Sequence, residues 1–425
     1  MDLSRLLKIG HLKKAAIITF IGIIFSKFFA YVYRLIVARL GPTDYGTFSL
    51  GYAIYGFALI FAMLGLSQAV LRYIPYYRAN KDTGNEHGTL KTSLVIMLVS
   101  SLLFSGLLFA FADYFANLFR TPDLALVIRF FAIALPFAAL GMLLVSVLKA
   151  YKKVAQATLP QYYIEGIAKI ILTALLLWLG YGLLGAIGGF ISAVIIMFLA
   201  AAWLSRKYLF RKGAWVAKEL LPYSVTLMFS GFLYYIIYYT DSLMVGYYKD
   251  AAQVGIYNVS LPTAGLLFII PEAILVLFVP LMTEYYAKGN KAKFYDLYRK
   301  SFWYSLLFNL PVFLVLFFFS KIVIQLLFGS AYVPGALALS ILSIGYFFRL
   351  VFMPHTRLLE VFKKQKVLLV ITIIAALMNV AINFVLIPAY GIVGGAISTT
   401  ITYVFIGLST LWFSSKYVRI FVGKA

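Results

Sequence analysis

The line "YGLLGAIGG" (Tyr181–Gly189) returns as "YGIVGGAIS" (Tyr390–Ser398), 209 residues further along the chain. A glycine-rich line between two long apolar runs reads as a tight turn joining two helices, because glycine adopts backbone shapes that other residues resist. Its return implies a chain written twice. Two more echoes follow in the same order. "KAYKK" (Lys149–Lys153) recurs as "EVFKK" (Glu360–Lys364), and "VARLGPTDYGTFSL" (Val37–Leu50) recurs more loosely as "VGYYKDAAQVGIYNV" (Val245–Val259), with Gly46 opposite Gly255 and Phe48 opposite Tyr257. One glycine-rich match is cheap in an apolar chain, where small residues line helix contacts. Ordered matches at nearly one spacing are not.

The chain between the echoes is suited to lipid. Of 425 residues 63% are apolar and 12% charged, arranged as long apolar runs with short polar breaks. A bilayer span needs about 20 such residues. Twelve candidate helices result, near 13–40, 46–74, 90–112, 124–149, 158–180, 183–205, 220–247, 253–284, 298–320, 333–359, 367–388 and 391–415. Spans of a β-barrel would alternate over short segments, and nothing here alternates on that scale. The predicted fold is therefore an all-α polytopic membrane protein of about 12 transmembrane helices. Its halves would be residues 1–208 and 220–425, joined by a cytoplasmic linker at 209–219. Six spans per half is an even number, so both halves enter from one side, as parallel repeats around a central cavity.

Lysine and arginine set the orientation, since cationic loops stay cytoplasmic. About 28 of the 37 basic residues fall at the termini and every second connection, among them Arg72, Arg78, Lys152, Lys153, Arg206, Lys207, Lys363 and Lys364. Both termini are expected inside a plasma or inner membrane. The net charge of +23 then follows from topology and needs no nucleic-acid partner. The leading "MDLSRLLKIGHLKK" has no small-residue cleavage site and reads as a retained interfacial segment. Cysteine is absent and the three histidines are scattered, so thiol chemistry is excluded and no metal cluster is expected. No phosphate-cradling glycine loop occurs, which argues against a nucleotide as partner or fuel.

The run "ARLGPTDYGTFSL" with "GLSQAVLRYIPYY", and "TDSLMVGYY" in the seventh helix, resemble the polysaccharide and O-antigen flippases. These belong to the multidrug, oligosaccharidyl-lipid and polysaccharide exporter superfamily. The resemblance implies the two-bundle fold of that superfamily and a flippase function. Its passenger would be an anionic lipid-linked oligosaccharide on a polyprenyl phosphate or diphosphate, moved from inner to outer leaflet by alternating access for cell-surface glycan assembly. Membrane lipids would be its other partner. The alternatives are a cation-coupled multidrug exporter and an intramembrane glycosyltransferase or polymerase. Short outer connections such as "RTPD" and "FGSAYVPG" leave little room for catalytic groups, so no enzyme activity and no cofactor are expected.

Ionisable groups inside spans cost about 2.5 to 3.5 kcal/mol each, so those retained face a cavity or a partner. Lys27 and Arg34 lie two turns apart on one face of the first helix. Arg129, Lys169 and Arg349 are the other intramembrane cations, against Glu165, Asp241 and Glu272. A cationic interior favours an anionic passenger, through charge-assisted hydrogen bonds to phosphate oxygens. Lys27, Arg34, Arg129, Lys169 and Arg349 are therefore the candidate substrate-binding residues. Glu165 and Lys169 have the spacing of a structural pair, the alternative being that Lys169 exchanges between Glu165 and a phosphate. Asp241 stands opposite Arg34 in the repeat and reads as a gate partner for it, or as a group meeting water at a helix end. Glu272 follows Pro271, between Pro262 and Pro280, and marks a hinge and a candidate proton site. Glu165, Asp241 and Glu272 are the coupling or gating candidates, with proton and sodium coupling both open. Tyr234, Tyr235, Tyr238 and Tyr239 fit either a sugar path or a membrane interface. Asn379 and Asn383 form a polar stripe suited to interhelical hydrogen bonds.

Overall fold

The computed structural model describes residue 22 and residues 24–209 and 212–422. The basic leader, Arg211 and Lys424 lie outside the described residues. The described residues fold almost entirely into helices, in the predicted order. They are α1 (24–37), α2 (Pro42–Met63, continued after a kink by Leu66–Ala79), α3 (Thr83–Ala110), α4 (Asp123–Ala150), α5 (Glu165–Trp178) and α6 (Gly182–Leu209). The second half repeats the series as α7 (Ala217–Tyr248), α8 (Ala251–Ala264, then Ile269–Ala287), α9 (Lys291–Phe318), α10 (Ala336–Val351, then Met353–Val361), α11 (Gln365–Tyr390) and α12 (Ile392–Val422). Among the described residues nine helices or joined pairs are long and apolar enough to cross a membrane. Their outward faces carry bare hydrocarbon, with Leu102, Leu307, Leu377 and Val385 all more than half exposed. Such a surface is matched by lipid tails and not by water.

The repetition is written into the turns. Gly182 and Gly391 take φ of 51° and 57°, Lys152 and Lys363 take 61° and 57°, and Lys81 and Gly289 take 59° and 67°. A lysine in this left-handed region costs roughly 1 to 2 kcal/mol, so its occurrence at both matching sites reflects a turn the fold requires. After the turn, the glycines of the opening line let two helices touch. A side chain at Gly189 would run into Thr173 of α5, and one at Gly394 into the Leu386 carbonyl of α11. The echoed line thus makes a turn and a closely packed helix hairpin.

By packing, the chain divides into two compact units, Met1–Leu40 with Thr47–Phe232, and Gly41–Gly46 with Leu233–Ala425. In the first unit α4 is the central rod, most of its apolar stretch being buried. Leu143, Leu144 and Val147 pack there with Val70, Met97 and Ala201. In the second, Gly41–Gly46 lies against the start of α8, where a side chain on Gly255 would strike the Pro42 carbonyl and Tyr45 Oη donates to Asn258 O at 3.2 Å. Several helices are broken. α2 kinks at Leu64 and Gly65, both with positive φ, and α8 is interrupted by the 3₁₀ turn Gly265–Phe268. That turn falls between Pro262 and Pro271, where the sequence places a hinge, and Glu272 stands just beyond it on α8. Short helices, at Ala112–Leu118 and Ser320–Phe328, precede the outer connections quoted above.

Candidate functional site

Among the described residues two polar centres within the helices draw attention, one in each unit. In the first it forms where α5 meets α1. Helix α5 is preceded by Val154–Thr158 and by a π-turn, Leu159–Ile164, whose Pro160 supplies no backbone donor. Wide turns of this kind occur often at functional sites. Gly166, one residue into α5, leaves space that the Phe29 ring fills, which draws α1 against α5. One turn further, Lys169 comes beside Tyr33. Lys169 Nζ donates to Glu165 Oε1 at 2.8 Å, the two side chains being only 16% and 23% exposed. The same ammonium lies 4.7 Å from the Phe190 ring centroid and 5.6 Å from that of Tyr33. The charge of Arg34 acts on Lys169 as well.

Aromatic rings wall this centre. Tyr55 stacks on Phe131 at 5.3 Å, while Tyr52, Tyr55 and Phe131 each meet Phe190 edge to face. Nothing in the sequence singles out Tyr52, Tyr55, Phe131 or Phe190, since each sits in an apolar run like dozens of others. The tyrosines that the sequence does single out lie elsewhere. Tyr235 stacks on Tyr239 at 4.3 Å, and Tyr234 is half exposed.

Arg129 occupies a different setting. Its Nη2 donates to Asp113 Oδ2 at 2.6 Å, with both side chains well exposed, and it lies 5.7 Å from the Phe109 ring. Lys27 is half-buried on α1. The structure therefore pairs Glu165 with Lys169 and holds Arg129 with Asp113.

The second centre is built on Asp241 of α7, which is 0% exposed. Tyr257 Oη of α8 donates to its Oδ2 at 2.8 Å, Asn383 Nδ2 of α11 donates to its Oδ1 at 2.6 Å, and the Thr399 hydroxyl of α12 also donates to it. Asp241 is thus caged by three helices of its own unit and does not meet water at a helix end. Asn379 extends the cage, accepting from Asn383 at 3.1 Å and receiving the Ser398 hydroxyl on its carbonyl at 3.1 Å. The polar stripe of α11 is therefore interhelical. The Oδ1 of Asn383 is buried and has no hydrogen-bond partner. Among the described residues no lysine or arginine forms an ion pair with Asp241. Arg349 of α10 stands over the Tyr403 ring at 5.3 Å. No cluster of three or more acidic, histidine or cysteine ligands occurs among the described residues.

Comparison with known proteins gives consistent matches. The family described as "Polysaccharide biosynthesis protein" matches residues 12–286, and the one described as "MatE" matches residues 227–385. A protein of Shigella flexneri named putative O-antigen transporter is 25% identical, over 90% of this chain and 92% of its own. A Haloferax volcanii protein named probable low-salt glycan biosynthesis flippase Agl15 is 23% identical, over 92% of this chain and 81% of its own. Among solved structures, an inward-facing multidrug resistance MATE family transporter of the MOP superfamily superposes with a TM-score of 0.77 at 15% identity, covering 93% of this chain and 95% of its own. The lipid II flippase MurJ, in an inward closed conformation, gives 0.74 at 18% identity, covering 95% and 89%. These two likenesses establish the transporter fold.

Proposed function

The chain belongs to the polysaccharide biosynthesis protein family, and from that premise we propose that it is a flippase for a lipid-linked oligosaccharide carried on a polyprenyl phosphate or diphosphate. The passenger moves from the inner to the outer leaflet, and both termini of the protein are cytoplasmic. The observation that carries this reading is the partly buried Lys169–Glu165 pair, on which the charge of Arg34 also acts. A buried ion pair contributes little net stability, because desolvation offsets the attraction between the charges. It gives a phosphate something to displace. As the phosphate arrives, Lys169 turns from Glu165 to a phosphate oxygen while Arg34 supplies a second charge-assisted donor. The surrounding rings of Tyr52, Tyr55 and Phe190 offer flat apolar faces to a sugar. When the phosphate leaves, Glu165 takes back the ammonium, so neither charge is stranded in low dielectric.

Asp241 is the coupling residue in this reading. Loading its cage with a proton or sodium ion would satisfy the carboxylate and the orphan Asn383 oxygen, and release would favour a different packing of α7, α8, α11 and α12. The driving gradient thus acts in the second unit and the passenger binds in the first. Glu272, next to the break in α8, sits where a change of packing would bend that helix.

Proteoliposomes carrying a fluorescent polyprenyl-diphosphate oligosaccharide test the proposal. Wild-type protein exposes the label to an external quencher, Lys169→Ala does not, and equal flipping by both removes the pair from the site. The match of residues 227–385 to the MatE family favours a second reading, a cation-coupled exporter of small molecules. Efflux of cationic dyes by the same vesicles, with no flipping, would select it.

A further inference from the structure

The turns before α3 and α9 are the same turn. Lys81 and Gly289 are both left-handed, Asp82 N and Asn290 N bond back to Tyr77 O and Tyr285 O at 2.9 Å, and Asp82 and Asn290 then cap their helices through Asn85 N and Lys293 N. Counting four residues from each cap therefore pairs Glu86 with Phe294. In the second unit Phe294 is 0% exposed and fills its site, with ring centroids 5.1 Å from Phe421, 5.7 Å from Phe362 and 6.2 Å from Tyr286. In the first unit the matching place is a cavity of about 400 Å³, lined by Glu86 with Arg78, Lys153 and Lys207. Its floor is the parallel stack of Tyr151 on Tyr208, 3.9 Å apart. Arg78 stands over Tyr151 at 5.4 Å and Lys207 over Tyr208 at 5.0 Å.

The repeat thus has an aromatic plug available at this position and uses a carboxylate instead. A plugged site stabilises through buried area, so leaving it open gives up packing. Among the described residues Glu86 closes no ion pair with these cations, and the cavity keeps three cations to one carboxylate. We propose that this cavity is a binding site for a phosphate group, distinct from the Lys169 centre. Arg78, Lys153 and Lys207 hold the phosphate oxygens, and Glu86 accepts a hydroxyl or ammonium carried beside the phosphate. The phosphate belongs either to a phospholipid headgroup or to a soluble phosphate compound.

The position of the cavity gives such a ligand leverage. Lys207 and Tyr208 belong to the last turn of α6 before the segment leading to α7, and that segment is gripped by the same end of α3 that carries Glu86. Ala214 N donates to Gly84 O at 3.0 Å, Val216 N donates to Thr92 Oγ1 at 3.1 Å, and a side chain on Gly213 would strike Gly88. A phosphate held by Lys207 and Arg78 ties the root of the linker to the body of the first unit. The site is independent of the flippase reading.

The test is calorimetric titration of the full-length protein in detergent with three probes: inorganic phosphate, dihexanoyl phosphatidylglycerol below its micellar concentration, and dihexanoyl glycerol, which has the tails and no phosphate. Binding of phosphatidylglycerol alone assigns a lipid headgroup, and binding of inorganic phosphate as well assigns a soluble phosphate; either supports the site. The surface change Lys153→Ala with Lys207→Ala weakens binding at least tenfold. Glu86→Phe, which restores the plug of the other unit, abolishes binding and leaves the thermal midpoint unchanged or raised. Should Glu86→Phe fail to fold, the lysine variant decides. Equal heats from dihexanoyl glycerol, no heat from any probe, or binding unaltered in the lysine variant overturns the proposal.

Discussion

Gly46 and Gly255, which occupy matching positions in the two sequence halves, cross so closely that a β-carbon on Gly255 would lie 3.0 Å from the backbone nitrogen of Gly46. Each glycine also faces a carbonyl of the opposing strand of chain, Ala251 for Gly46 and Pro42 for Gly255. Replacing either by alanine pushes the crossing apart, at an overpacking cost of about 1 to 3 kcal/mol. Once it is apart, the second methyl meets less resistance. Thermal unfolding in detergent should therefore show the double variant less destabilised than the sum of the singles, as expected for residues sharing one contact.

The Lys169–Glu165 pair separates stability from transport. Lys169→Ala alone takes from the partly buried Glu165 carboxylate its ion-pair partner, and the loss is about 1 to 3 kcal/mol. Removing both charges, with Glu165→Gln and Lys169→Met, restores the thermal midpoint to near the wild-type value. Flipping of a polyprenyl-diphosphate oligosaccharide stays lost in both. A double variant that flips normally would make the pair purely structural.

Asp241→Asn keeps the shape of the carboxylate and removes its charge. The protein should fold, with a stability change of about 1 kcal/mol for altered hydrogen bonds. Transport then no longer responds when the pH gradient and the sodium gradient are collapsed in separate vesicle experiments. Asp241→Ala strands the donors of Tyr257, Asn383 and Thr399, so its thermal midpoint falls well below that of Asp241→Asn.

Arg129→Ala is expected to be mild. Its bond to Asp113 lies at an exposed position, where such pairs contribute about 0 to 1 kcal/mol. Expression, thermal midpoint and flipping should stay within a factor of two of wild type. A tenfold loss of flipping would return Arg129 to the substrate path.

Gly394→Leu tests why the glycine line is written twice. Its side chain meets the Leu386 carbonyl, so the α11–α12 hairpin opens and folded yield drops sharply. The same substitution at Gly106, where nothing lies within 4 Å, is tolerated and serves as the control.

Apolar runs and glycine turns determine the helix order and the duplication by themselves, since each depends only on partition between water and lipid and on local backbone freedom. The break in α8 is legible for the same reason, as prolines remove backbone donors wherever they stand. The Glu165–Lys169 pair is visible as well, because four residues make one helical turn. What surrounds these groups depends on which helix faces which. Only the tertiary structure sets Tyr52, Tyr55 and Phe190 around Lys169, encloses Asp241 among Tyr257, Asn383 and Thr399, and ties Arg129 to Asp113. It alone makes Glu86 and Phe294 counterparts, one lining a cavity and the other filling it. The partners in each case lie many residues apart, and linear spacing carries no record of contacts created by packing.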